Sequence, residues 1–407
     1  MSLPLQPTYH SSIPKSVTFT ELSERLCEYI TVPETTRPEN GTRKLSPAMI
    51  EYAAIMEIVQ ILVMQQVPDL VLQRIENVDR RVKVIDARGW FDVELRATRP
   101  QWTVDRYLGS RKSPATSIDE RNQALASAEI VLTGWPPVQD LRARAPRLRW
   151  VHELPAGASN FLGTDLWGSE IVVTTSRGLT NRRPMAEYVL ASFLHFARGL
   201  HLSYGEKQRR AFNHKAYDAV IVRDKTVCIV GAGGIGQEVA NLCAGAGMRV
   251  VGTRREVRPD TLPLSGFARL ESADHLYDLL PESEFVAVCC PWTKQTHRLI
   301  GPAAFAAMKS GTVLVNIARG EIVDDEALLQ ALAEGKLRGV ALDVYDGEFE
   351  RPPDPRLWED ERVVITPHIS ATTDVSEHGG VRLFCENLTR YLQGRPLQNV
   401  IDWERGY

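Results

Sequence analysis

The stretch KTVCIVGAGGIGQEVANLCAGAGMRVVGTRR, residues 225–255, decides the fold. Its run Val227 to Val230 is β-branched and short, as suits a strand buried in a parallel sheet. Gly231-Ala-Gly233-Gly-Ile-Gly236 follows at once and opens a helix over Gln237 to Cys243. Gly231 permits the tight turn, Gly233 lets backbone approach a ligand, and Gly236 lets helix and strand pack closely. The amides at the helix start, with Gly234 and Ile235 among them, offer N–H groups to an anion. A G-x-G-x-x-G run is weak in a chain with 28 glycines, but strand before and helix after make it specific. The segment predicts a nucleotide-binding βαβ unit with a pyrophosphate on its helix.

The second strand of that unit ends about 20 residues past the glycines, where NAD-binding chains carry Asp or Glu for the ribose diol. Here the residues are Thr253-Arg254-Arg255. A carboxylate would repel a 2′-phosphate, whereas a guanidinium pairs with it bidentately. NADP(H) is therefore the expected cofactor, with NAD(H) as the alternative.

Further strands follow at EFVAVCC (284–290), TVLVNIA (312–318), GVALDVY (339–345) and RVVITPH (362–368). Asp324 should cap a helix with Ala327, Leu328, Ala331 and Leu332 on its apolar face, and Gly335 should stop it. Upstream, RVKVIDA (81–87), EIVLTGW (129–135), RLRWVHEL (147–154) and EIVVTTS (170–176) are strand candidates in a second alternating series. PMAEYVLASFLHFARGL (184–200) is a long helix between the two series. The expected fold is α/β: two Rossmann-like domains with parallel sheets and a helical N-terminal extension. Residues 79–183 and 370–407 should form a discontinuous substrate domain, and 184–369 the dinucleotide domain. The chain crosses between them near 183 and 369, a hinge for closing the cleft. Residues 1–78 read as the extension, with a polar helix around Glu21 to Tyr29 and an apolar helix from Met49 to Met64. That last stretch is too short and too polar to span a bilayer.

The 407 residues, 43% hydrophobic and 24% charged, suit a globular chain of two domains. A net charge of −3 gives no basic field for nucleic acid or anionic lipid. The six cysteines form no C-x-x-C pair, so neither a zinc site nor a disulfide scaffold is indicated. No metal is expected, and a reduced, cytoplasmic protein is. The start, MSLPLQPTYHSSIPKS, has no apolar core of a secretory signal.

Three ionisable residues each follow a strand of the second series: Arg319 in NIARGEIVDDEAL, Glu348 in ALDVYDGEFERPPDP, and His368 in ITPHIS. Parallel strands would bring all three to one carboxyl edge, where open α/β sheets bind ligands. Together with CCPWTKQTHRLIG, which fits P-x-T-x-x-T-x-x-x-I, these segments resemble the D-isomer-specific 2-hydroxyacid dehydrogenases. That family includes glycerate, phosphoglycerate and glyoxylate/hydroxypyruvate enzymes, and the likeness runs over about residues 80 to 402. It implies that Arg319, Glu348 and His368 are a catalytic triad in a formate/glycerate dehydrogenase-like fold. It also implies cofactor contacts at Pro291, Thr296, Ala318 and Asp343, beside the glycines and Thr253, Arg254 and Arg255. LPAGASNF (154–161) matches the small-residue loop of the family, so the amides of Ala156, Gly157 and Ala158 should hold a substrate carboxylate. A homodimer is the usual assembly.

The chemistry of these residue types points the same way. Reduction of a 2-oxoacid puts negative charge on the former carbonyl oxygen as hydride arrives. His368 can donate the proton in that direction and remove it in the other. Glu348 can orient the ring through its second nitrogen and stabilise the cation. Arg319 can fork onto carboxylate and carbonyl oxygens as charge develops. Small 2-oxoacids or 2-hydroxyacids are thus the expected partners. A dinucleotide-sensing scaffold like the family's corepressors is the alternative. Ser159 stands where the family often has an acid, Phe349 where proline commonly follows the glutamate, and Trp292 follows Pro291. Arg88, Arg177, Arg182 and Arg183 lie at strand ends or beside the interdomain helix. They raise the prospect of a second anionic group, phosphate or phosphonate, on the substrate.

Overall fold

The computed structural model describes residues 58–110, 112–179, 181–257, 264–374 and 379–407. Expectations for residues 1–57, including the helix around Glu21 to Tyr29, lie outside the described residues. Among those described, two all-parallel sheets form. The first has the order β2-β1-β3-β4-β5, with β1 Val59–Val63, β2 Val82–Asp86, β3 Ile130–Thr133, β4 Trp150–Glu153 and β5 Val172–Thr175.

Strand β1 corrects the sequence reading, which made Met49 to Met64 one helix of an extension ending at 78. Val59 to Val63 instead pairs with β2 on one side and β3 on the other. Both faces of a central strand are covered. Leu62 faces a cluster with Phe91, Leu125 and Val131, while Val59, Ile61 and Val63 face another with Ile75, Trp150 and Phe384. A strand buried on both faces shows no alternation, so periodicity cannot separate it from a buried helix. Helix α1, Asp69–Glu76, buries Val71 and Ile75 in the same core. Residues 58–78 therefore belong to the first domain, as a strand of its sheet and a helix packed on it.

Helix α2, Arg182–Ala197, carries the chain into the second sheet, of order β12-β11-β10-β9-β6-β7-β8. Its strands are β6 Thr226–Val230, β7 Arg249–Arg254, β8 Arg269–Ser272, β9 Phe285–Val288, β10 Thr312–Asn316, β11 Leu337–Leu342 and β12 Val363–Ile365. The strand order reverses between β6 and β9, which opens a crevice at their carboxyl ends. Helix α3, Gly234–Gly245, rises from that crevice with Gly233 as its N-cap. Helix α4, Asp325–Ala333, begins where Asp324 accepts a hydrogen bond from the Ala327 amide at 3.0 Å. The closing helix, Gly379–Leu392, returns to the first sheet and packs Phe384 and Leu388 into the β1 cluster. No helix among the described residues is long and apolar enough to cross a membrane.

Candidate active site

Strands β10, β11 and β12 lie side by side, and one of the three ionisable residues follows each. Glu348 is 3% exposed and takes both carboxylate oxygens to Nδ1 of His368, at 3.1 and 3.2 Å. His368 has a left-handed backbone, φ 56°. Asp343 holds that turn in place. The His368 amide donates to its carbonyl at 3.0 Å. Its carboxylate accepts from the hydroxyl of Thr366 and from the amides of Ile369 and Ser370, at 2.7, 2.8 and 2.9 Å. Asp343 is only 1% exposed, so its carboxylate is engaged with the His368 loop rather than presented to the crevice.

Arg319 leaves β10 through a turn pressed against β11. A Cβ on Gly320 would lie 1.8 Å from the Tyr345 carbonyl carbon, so only glycine fits there. The guanidinium crosses to the first domain. Nε donates to Oγ of Ser159 at 3.3 Å and Nη2 to Oδ1 of Asn160 at 3.3 Å, while Nη1 donates to the carbonyl of Ala318 at 2.8 Å. A Cβ on Gly157 would lie 1.9 Å from Nη2, so a side chain there would displace the guanidinium from this position. The loop Ala156-Gly157-Ala158 therefore meets Arg319 directly. Ser159, in place of an acid, serves as an acceptor for the cation.

The first domain adds residues that the sequence reading did not single out. A π-helical turn, Val104–Leu108, and the residues before it lie on the Glu348–Phe349 turn. Trp102 donates its indole N–H to the Glu348 carbonyl at 2.9 Å, and the Thr103 hydroxyl donates to the Phe349 carbonyl. Arg106 Nη2 reaches Oε2 of Glu348 at 3.5 Å and stacks over Tyr107 at 5.1 Å. Trp135, just past β3, packs on Phe349 with ring centroids 4.5 Å apart, and Tyr107 meets both rings. Trp135 sits before Pro136 at a strand end, a signal that was legible. The helical segment around Arg106 carried none.

At the crevice of the second sheet, a Cβ on Gly231 would lie 2.7 Å from the Cys290 backbone, and one on Gly236 2.1 Å from the Gly231 carbonyl. Nothing lies within 4 Å of such an atom on Gly233, so backbone is open to solvent there. Gly234 and Ile235 start α3. The amides of Gly231 and Ala232 donate to the Thr253 carbonyl, which buries Thr253. Arg254 ends β7 exposed, and Arg255 donates to the Tyr407 hydroxyl at 2.7 Å. Thr296 donates to the Pro291 carbonyl at 2.8 Å and shapes the loop beside the crevice. Trp292 lies in the same loop and donates to His297 at 3.3 Å.

The strand-end arginines are occupied elsewhere. Arg88 is bound by Asp86 at 2.6 Å, Asp69 at 2.8 Å and the Val67 carbonyl at 2.5 Å. Arg183 pairs with Glu187 and Glu238 at 2.8 and 3.0 Å. Arg177 stacks on Tyr407, and Arg182 lies against Gly234 at the dinucleotide crevice. None of the four contacts the Glu348–His368 pair among the described residues. Arg106 is the guanidinium that does.

Residues 190–370 match the model of the D-isomer specific 2-hydroxyacid dehydrogenase NAD binding domain. The chain is 35% identical over 267 residues to the glyoxylate reductase of Thermococcus kodakarensis, covering 64% of this chain and 78% of that one. It is 26% identical over 277 residues to the D-3-phosphoglycerate dehydrogenase of Methanocaldococcus jannaschii, covering 68% of this chain and 52% of that one. It thus spans about half the length of the second relative. A D-isomer specific 2-hydroxyacid dehydrogenase from Xanthobacter autotrophicus, solved with NADPH and MES, shares the fold. Its TM-score is 0.66 at 23% identity, over 86% of this chain and 100% of that one. With two parallel sheets, a glycine cradle at the switch point and the Arg319, Glu348 and His368 edge in place, the chain belongs to the D-isomer-specific 2-hydroxyacid dehydrogenases, a family of NAD(P)-dependent oxidoreductases acting on the CH–OH group of 2-hydroxy acids.

Proposed function

We propose that this chain reduces a small 2-oxoacid to the D-2-hydroxyacid with NADPH, using His368 as proton donor. The observation that carries the reading is the pairing of a buried Glu348 with His368 on the same sheet edge as Arg319. The crevice fits a dinucleotide, since Gly231 and Gly236 admit no side chain and the Gly233 backbone is open. When bound there, NADPH supplies the hydride. Arg319 would bind the 2-oxo-carboxylate and draw charge onto the oxygen, with the amides of Ala156, Gly157 and Ala158 on the opposite side. Glu348 holds Nδ1, which leaves Nε2 of His368 to deliver the proton. Trp102 and Thr103 fasten the Glu348 turn to the first domain, so the acid–base pair is assembled where the two domains meet. Preference for NADP(H) over NAD(H) rests on Arg254 and Arg255 at the end of β7.

Arg88 and Arg183 do not support a second anionic group on the substrate, whereas Arg106 beside Glu348 leaves a place for one. A homodimer is supported by exposed apolar residues along the segment after α2: Leu200, Tyr204, Phe212 and Ile221. A cytoplasmic location is supported by the free cysteines among the described residues. The test is NADPH consumption with glyoxylate, hydroxypyruvate, pyruvate and phosphonopyruvate. Turnover on any of them supports the enzyme. Tight NADPH binding without turnover on this panel favours the dinucleotide-sensing scaffold.

A further inference from the structure

A carboxylic acid at Glu153 has no place in the chemistry above, yet it is 0% exposed at the end of β4. A buried carboxyl is costly unless a partner satisfies it. Its partner is Asn160, 7% exposed, whose Nδ2 donates to both carboxyl oxygens at 3.0 and 3.1 Å. The other end of the same amide, Oδ1, accepts from Nη2 of Arg319 at 3.3 Å. A three-residue relay thus runs from the interior of the first domain to the guanidinium of the second.

An asparagine amide has a donor end and an acceptor end, and a half-turn exchanges them. Only the acceptor end suits a guanidinium, which has donors alone. We infer that Glu153 is a positioning residue: by accepting from Nδ2 it locks the Asn160 amide with Oδ1 toward Arg319, and so sets the guanidinium for the substrate. Burial pushes the Glu153 carboxyl above the usual carboxylate range, and the Asn160 amide pulls it back. Both carboxyl oxygens face Nδ2, so the geometry presents acceptors to the donor end of the amide. Without Asn160, Ser159 and the Ala318 carbonyl would still hold Nε and Nη1, but Nη2 would lose the partner that aims it.

The inference rests on Arg319 as the carboxylate-binding residue, so wild-type turnover on a 2-oxoacid is established first. A protein inactive on the whole panel would sink that reading and the inference with it. With turnover in hand, Glu153→Met fills the space without an acceptor. Its KM for the 2-oxoacid should rise about tenfold, the worth of one oriented charge-assisted bond, with kcat changed less and the NADPH Kd unchanged. Glu153→Gln keeps an acceptor oxygen for Nδ2 and should restore KM, with a pH profile superimposable on wild type. A folded Met variant with wild-type KM overturns the inference. So does a Gln variant as impaired as the Met variant, because charge rather than amide orientation would then be at work. Glu153→Leu, equally unable to accept, repeats the test where the Met variant fails to melt cooperatively.

Discussion

Nδ1 of His368 faces both carboxylate oxygens of Glu348, at 3.1 and 3.2 Å, and the acid is buried while the ring is 28% exposed. One nitrogen is therefore committed to orientation, and Nε2 is left for chemistry. Replacing His368 with Gln should lower kcat by a factor on the order of 10²–10⁴, the usual worth of positioned acid–base catalysis. Glu348→Gln keeps a hydrogen-bonding side chain but loses the charge, and should cost less. Steady-state kinetics with the best substrate of the panel decide it. Near-wild-type kcat in His368→Gln would remove His368 as the proton donor.

Cofactor choice gives a second expectation. Arg254 stands exposed at the end of β7, while Arg255 is turned to Tyr407. Arg254→Asp should move the ratio of kcat/KM from NADPH toward NADH, because it removes a phosphate partner and installs a diol acceptor. Arg255→Asp should move it less. A wild-type enzyme that already prefers NADH would contradict the assignment of both arginines.

Much of this geometry was legible in the sequence, for identifiable reasons. Arg319, Glu348 and His368 stood out because each follows a strand of one parallel sheet, and parallel order fixes which ends align. Gly231 and Gly236 were legible because each permits a close approach that a side chain forbids. Strand β1 was not, since a run buried on both faces has no period. Strand β8 was missed for the opposite reason: Arg269–Ser272 is a half-buried edge strand with one apolar residue. The pairing of Arg88 is local, because Asp86 two residues before it supplies a partner. Asn160, Trp102 and Arg106 depend on contacts between domains, and Glu153 on the loop that carries Asn160, which no local pattern encodes.

The placement of β1 changes what a truncation should do. Removing residues 1–57 leaves both sheets intact among the described residues. Removing 1–78 takes away β1, the strand between β2 and β3, together with α1. The shorter deletion should give a folded first domain, and the longer one should aggregate or fail to melt cooperatively. Circular dichroism melts and size exclusion report both. A soluble, cooperative 79–407 fragment would contradict the central position of β1.

The N-terminus of α4 gives a pH-dependent expectation. Burial, with Asp346 adding repulsion, raises the Asp325 carboxyl from its ordinary 3.8 to about 6. The fold thus favours the protonated acid, a contribution present below the unfolded value and lost as pH rises through about 6. Above that window the charge is a burden, only partly relieved by the helix N-terminus. Asp325→Asn should raise Tm at pH 8 by roughly 2–4 °C, the response to about 1 kcal/mol at this size, with almost no change at pH 4. An equal gain at both pH values would show that the effect is not titration of this group.

The last expectation concerns the substrate. In the proposed reading Arg319 takes one carboxylate, and the remaining question is the tail. Arg88 and Arg183 are held by carboxylates of their own, so Arg88→Ala and Arg183→Ala should leave the ranking of substrates unchanged. Arg106 differs, because its ion pair with the Glu348 carboxylate is long at 3.5 Å, its Nη1 donates only to the Glu348 carbonyl at 3.3 Å, and its guanidinium lies over Tyr107 beside the Glu348–His368 pair. A second anion reaching it would gain charge-assisted bonds of roughly 1.5–3 kcal/mol each. The aromatic wall of Trp135, Tyr107 and Phe349 argues the other way, since it favours a compact, uncharged tail. Arg106→Leu separates the two. Loss of kcat/KM on phosphonopyruvate by tenfold or more, with glyoxylate and hydroxypyruvate affected much less, would establish the second-anion role. An equal effect on all substrates would confine Arg106 to supporting Glu348 and leave the uncharged 2-oxoacids as the substrates of this site.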